Sequence, residues 1–217
     1  MICAITLAFI YPPSMITPLL LCLDLTASTW LFLKARKLVD WKGLKILILS
    51  SMMAIPIGSL VLTSIPVNYL RIFIALTIIL LCTGLLLKKQ THTLNRPGTI
   101  FGIGILSGFL TGVAAIGGPP VILFYLSSNH SISISRASMI AYFFVTECIA
   151  LVSCFLYGLL NCQTLVFSAQ MLIPLSIGLW IGNYCFENYS NENQFKRQTL
   201  ILLMTIAFIS LINSAIK

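Results

Sequence analysis

The stretch GFLTGVAAIGGPPVILFYL, residues 108–126, is apolar enough to lie in a membrane, yet Gly117-Gly118-Pro119-Pro120 interrupts it at the centre. Proline has no N–H and its ring clashes with the preceding turn, so an unbroken helix is not expected here. Proline does fit the first turn of a new helix, where the missing N–H would have had no partner. The stretch therefore reads as two half-helices meeting at a glycine hinge. The second half-helix is expected to start at Pro119 and to present free N–H groups from Val121 onward. A helix N-terminus carries about half a positive charge and suits an anion. Discontinuous helices near the bilayer midplane mark substrate sites in carriers. Gly117, Gly118, Pro119, Pro120 and Val121 are thus candidate substrate-binding residues. The competing reading is a structural kink whose freed backbone groups are satisfied by neighbours or water.

The whole chain belongs in a bilayer. It has 217 residues, is 59% hydrophobic and only 8% charged, with a mean hydropathy of +1.02. A soluble domain carries roughly a quarter charged residues, and a water-soluble fold could not hide this much apolar surface. About 20 helical residues span the hydrocarbon core. The candidate spans are 14–33, 44–63, 67–87, 99–127 (interrupted), 134–159, 164–186 and 195–216. The expected fold class is an all-α polytopic integral membrane protein of about seven spans, with one broken helix at Gly117-Pro120.

Charge sets the orientation. The formal net charge of +8 would suggest nucleic acid in a soluble protein. Here the basic residues gather in two short loops, Lys34 to Lys45 and Lys88 to Arg96. That is the positive-inside pattern of a cytoplasmic-membrane protein, and no basic stripe with interleaved aromatics argues for nucleic acid. With both loops inside and 99–127 crossing once, alternation places 160–163 and the C-terminus in the cytoplasm. Asp40-Trp41 reads as an interfacial anchor. Arg71, Arg136 and Arg197 lie at span ends, where snorkelling is the default; Arg136 is the best of them for attracting an anion. His92 and His130 read as solvated loop residues.

The two halves echo each other. Span 14–33 is followed by a span holding Pro56-Ile57-Gly58 and one starting near Arg71. Span 134–159 is followed by a span holding Ser176-Ile177-Gly178 and one starting near Arg197. In the orientation above both repeats run in the same direction, related by an axis along the membrane normal. Residues 1–90 form the first repeat and 91–217 the second, within a single membrane domain. PPVILFYLSSNHS (119–131) has its counterpart in CAITLAFIYPPS (3–14), so the first repeat is expected to lack the half-helix equivalent to 99–116.

Within the broken segment Gly104, Gly108 and Gly112 recur every four residues. That spacing places them on one helix face, where they allow close helix contact. Ser107 and Thr111 beside them are candidate donors to a substrate. Asp24 and Glu147 stand at the centres of spans 14–33 and 134–159. A carboxylate at mid-bilayer costs about 3 kcal/mol even on lenient scales, so such residues are usually buried and functional. Both are candidate ion-coupling residues, protonating as an anion binds or leaves. The alternative is a buried acid held by Ser, Thr or Tyr for packing.

At this point the chain resembles the sulfite exporter TauE/SafE family, also called the toluenesulfonate uptake permease family. The resemblance rests on GILSGFLTGVAAIGGPPVILFYL (104–126) and on RKLVDWKGLKILILSSMMAIPIGSLVLTSIPVNYLR (36–71), and it covers nearly the whole chain. It implies a carrier moving small anions, often sulfur oxyanions or organosulfonates, across the cytoplasmic membrane, driven by an ion gradient. The alternative is a truncated, non-transporting membrane protein or accessory scaffold. No enzyme is expected. Intramembrane proteolysis needs a buried Ser–His pair or paired aspartates, and both histidines sit in loops. The seven cysteines form no CxxC, no metal-ligand cluster is visible, and no cofactor is implied. The expected partners are a small anionic substrate and the lipid bilayer, with a second copy of the chain as the candidate protein partner.

Overall fold

A computed structural model describes residues 13–65, 96–128 and 131–189. The spans at 67–87 and 195–216 lie outside the described residues, as do residues 1–12, Arg71, Arg197, His92, His130 and the C-terminus. The described residues are helical apart from their connections. They comprise α1 (Pro13–Ala35), a 3-10 turn (Arg36–Leu38), α2 (Trp41–Ser64), α3 (Pro97–Ala114), α4 (Gly118–Ser127), α5 (Ile132–Leu156) and α6 (Cys162–Tyr189). Five of these helices are long and apolar enough to cross a membrane, judged by length and composition: all but α4.

Local sequence explains the helix ends. Asp40 caps α2 by accepting the Lys42 N–H, satisfying one of the N-terminal donors that have no partner within the helix. Ser131 does the same for α5 through the Ile134 N–H. Pro97 opens α3 at a position where its missing N–H costs nothing. The Lys34 ammonium lies 3.9 Å above the Trp30 ring, placing a cation and an amphipathic aromatic together at the basic end of α1, as an interface favours.

Side-chain contacts fix the direction of each helix. Against α1, α5 runs antiparallel: Phe32 stacks on Phe144, Ser28 bonds to Glu147, and Leu21 packs with Ala150 and Cys154. Against α2, α3 runs parallel, with Gly104 facing Leu47 and Ser50, Gly108 facing Ser51, and Gly112 facing Ile55 and Ser59. The expected glycine face is thus the seam between these two helices. α5 also runs parallel to α2. Its first turns lie beside the start of α2, where the Asp40 N–H donates to Ser138 Oγ at 2.9 Å, and Cys154 joins Ile55 further along.

These directions correct the sequence-based topology at two points. First, 99–127 begins and ends at the basic end, which a single crossing would not do. α3 starts at the basic end, with Ile100 packed among Leu44 and Leu47, and reaches the level of Leu62 with Val113 and Ala114. α4 then returns, bringing Phe124 and Tyr125 back to Leu44, Leu47 and Ile100. The pair is a re-entrant hairpin open to the basic end. Second, α1 and α5, the equivalent first full spans of the two halves, run in opposite directions. That does not fit a repeat in which these two spans run in the same direction. Both errors have one cause: hydropathy cannot distinguish a crossing from a hairpin, and one extra crossing reverses everything that follows. Leu159 now packs with Leu62, Val113 and Ala114, so 157–161 lies at the end opposite the basic turn and not beside it. Single cysteines introduced at Lys37 and Ser131 should therefore react with an impermeant thiol reagent from one face of the membrane, and one at Gly158 from the other. Labelling of positions 37 and 158 from the same face would contradict this topology.

Candidate functional site

The interruption falls slightly upstream of Gly117-Pro120. α3 ends at Ala114, and Ala115 takes the left-handed conformation, φ 56° and ψ 30°. That conformation costs an alanine roughly 1–2 kcal/mol, so the surroundings must hold it. The Ala115 N–H donates to Thr111 O at 2.9 Å and the Ile116 N–H reaches Leu110 O at 3.3 Å, closing the end of α3. Gly117 is the N-cap of α4 and Gly118 its first residue. Pro119 and Pro120 follow inside the first turn, where prolines belong, so the break has to precede them. Because those prolines carry no N–H, the donors at this end are the N–H groups of Gly117 and Gly118. Val121 is one position further along and has the Gly117 carbonyl at the normal helical acceptor spacing.

Gly117 cannot carry a side chain. A Cβ there would overlap Thr111 Oγ1 and lie 2.7 Å from Ser107 O. Gly118 has room, since its Cβ would meet Ile122 and Phe143 at 3.6 and 3.8 Å.

Ser107 and Thr111 take part in holding the hinge. Ser107 Oγ donates to the Gly117 carbonyl at 2.5 Å, and Thr111 Oγ1 donates to Ser107 O at 2.9 Å. Two residues that the sequence reading did not single out complete the arrangement. Tyr142 of α5 donates its hydroxyl to Ser107 Oγ at 2.9 Å. Ser51 of α2 shares a hydrogen bond of 2.5 Å with the same Tyr142 hydroxyl and lies 2.9 Å from Gly104 O. Ser51, Ser107 and Tyr142 are each 0% exposed. The available signal was weak: a serine pair opposite a glycine face, and a tyrosine inside an apolar span.

The two mid-span carboxylates come together. Glu147 is buried on α5, and Ser28 Oγ of α1 donates to its Oε2 at 2.5 Å. Asp24 is half-buried and lies one turn before Ser28, on the same face of α1. Phe143, beside Gly118, is one turn from Glu147 on α5. The residue beside the hinge and Glu147 are therefore one turn apart on α5. Arg136 lies in the second turn of α5 near the basic end, away from both. Cys22, Cys148 and Cys154 are free thiols.

This arrangement can do two things: present a partly positive helix end to an anion, and hold a proton on a carboxylate one turn along α5 from Phe143, the residue beside Gly118. Comparison with curated proteins and with solved structures returned no match. A model of the sulfite exporter TauE/SafE family matches residues 1–210. By that match over nearly its whole length, and by the membrane helices already described, the chain belongs to the sulfite exporter TauE/SafE family of membrane transporters.

Proposed function

We propose that the chain moves a small sulfur oxyanion or organosulfonate across the cytoplasmic membrane by alternating access, with the proton as coupling ion. The observation that carries this reading is the Ser28–Glu147 hydrogen bond, buried at mid-helix in a chain with only five acids. The site has a partner for either protonation state. With Glu147 ionised, the Ser28 hydroxyl donates to it. With Glu147 protonated, the carboxyl can donate to Ser28 Oγ, whose own proton turns to Leu25 O at 3.2 Å. A buried carboxylate with only one satisfiable state would be costly to cycle. Asp24 lies one turn from Ser28 on the same face of α1, so a second acid stands beside this contact.

The anion is assigned to the N-terminus of α4, with the Gly117 and Gly118 N–H groups as donors. Pro119, Pro120 and Val121 shape that turn, and the helix dipole adds its partial charge. Ser107 and Thr111 act here by holding the hinge. A protonated carboxyl on the neighbouring helix tolerates an anion, whereas an ionised one repels it, and this links the two bindings. The test is uptake of labelled sulfite into proteoliposomes. Saturable uptake, competed by alkylsulfonates and accelerated by an imposed pH gradient, is expected. Uptake no faster than in protein-free liposomes under any gradient would favour a non-transporting protein.

A further inference from the structure

Three hydroxyls connect three helices to one backbone carbonyl, and their protons can be counted. Ser107 gives its proton to the Gly117 carbonyl, and Tyr142 gives its own to Ser107. The proton of Ser51 then serves the 2.5 Å gap to Tyr142. This order, Ser51 to Tyr142 to Ser107 to Gly117 O, places one proton in each of these three gaps, while Leu47 O at 2.6 Å and Gly104 O at 2.9 Å are the other acceptors within reach of the Ser51 proton. The chain ends on the N-cap carbonyl of α4, at the hinge. With Tyr142 donating to Ser107 Oγ, the Ser107 proton is directed at Gly117. Without that donor the Ser107 hydroxyl is free to rotate to a carbonyl of its own helix, as buried serines commonly do.

Tyr142 stands on the same helix as Glu147, five residues away, or about 7.5 Å of helix. Between Ile132 and Leu156 that helix contains neither glycine nor proline, the residues that most often bend one. α5 therefore holds the carboxylate contact to α1 and the hydroxyl contact to the hinge on one stiff element. Asp24 of α1 lies one turn from Ser28, and Cys148 follows Glu147 on α5.

We propose that α5 is the coupling element of the transporter, and that Tyr142 is the positioning residue through which the state of the Glu147–Ser28 contact reaches the Gly117 hinge. The inference rests on the proton-coupled reading above. When Glu147 changes its bond to Ser28, α5 shifts against α1. The Tyr142 hydroxyl moves relative to Ser107, and the hinge carbonyl is held or released. Tyr142 touches neither the proton nor the anion; its role is to make one movement depend on the other.

The experiment compares two modes in proteoliposomes: sulfite uptake driven by a pH gradient, and sulfite counterflow at equal pH, which needs no gradient. Tyr142→Phe is expected to keep counterflow near the wild-type rate while stimulation by the gradient falls to unity. Ser107→Ala removes the same link from the other side without adding volume; because Ser107 also holds the hinge, counterflow is expected to fall as well, with stimulation by the gradient again falling to unity. It also decides the matter if Tyr142→Phe fails to fold. A merely structural hydroxyl chain would lower both modes together, so variants that keep the wild-type ratio of the two rates would overturn the inference while leaving proton coupling intact. Wild-type protein that performs counterflow but ignores the gradient would overturn both.

Discussion

Glu147→Gln should abolish sulfite uptake driven by a pH gradient while leaving sulfite counterflow measurable. Glutamine keeps the shape of the side chain and can still accept from Ser28, whose hydroxyl lies 2.5 Å from Glu147 Oε2. What it loses is the exchangeable proton, and with it the alternation of charge beside the hinge. Packing changes little, so the variant should insert and purify like the wild type. Replacing a buried ionisable group by its neutral isostere removes a desolvation cost, and equal or slightly higher thermal stability is expected. The measurement is initial uptake with and without the gradient, alongside counterflow. Retained gradient stimulation would reduce Glu147 to a packing residue and leave Asp24 as the remaining carboxylate of the pair.

The second large effect is structural. Gly108→Val should separate α2 from α3. A Cβ at Gly108 would lie 2.6 Å from both Ser51 Cα and Ser51 O. These are backbone atoms of a facing helix, so no rotamer change can relieve the overlap. Overpacking typically costs about 1–3 kcal/mol, and a β-branched side chain against unyielding backbone belongs at or above the upper end. The damage should spread, because Ser51 on that seam also bonds Tyr142. Gly102→Val is the control: it lies on the same helix, with nothing within 4 Å of its Cβ. In detergent, Gly108→Val should unfold at markedly lower temperature than Gly102→Val. Equal melting of the two would show that the seam is looser than described.

Much of this was legible in the sequence because it depends on local chemistry. Two prolines after two glycines announce a break, four-residue glycine spacing announces a close helix contact, and an acid in mid-span announces a buried polar contact to a neighbouring helix. The position of the break was less legible. It begins at Ala115, and alanine is not a turn signal; the left-handed residue is held by closure of the α3 end onto Thr111 and Leu110. The direction of α4 was not legible at all. A short apolar helix reads alike whether it completes a crossing or turns back, and only the packing of Phe124 and Tyr125 in one cluster with Leu44 and Ile100 decides. Ser51, Tyr142 and Ser28 were missed for a related reason. A lone hydroxyl in an apolar span is commonplace, and its importance comes from a partner on another helix, which spacing along one helix cannot reveal.

The central claim is that the anion and the proton cross together through one site. It is tested most directly by recording sulfite uptake and internal pH at once in proteoliposomes, with protein-free liposomes as background. The account predicts a change in internal pH that tracks protein-dependent sulfite uptake, saturates at the same sulfite concentration, and disappears in Glu147→Gln. Protein-dependent sulfite uptake with no accompanying proton movement would contradict it.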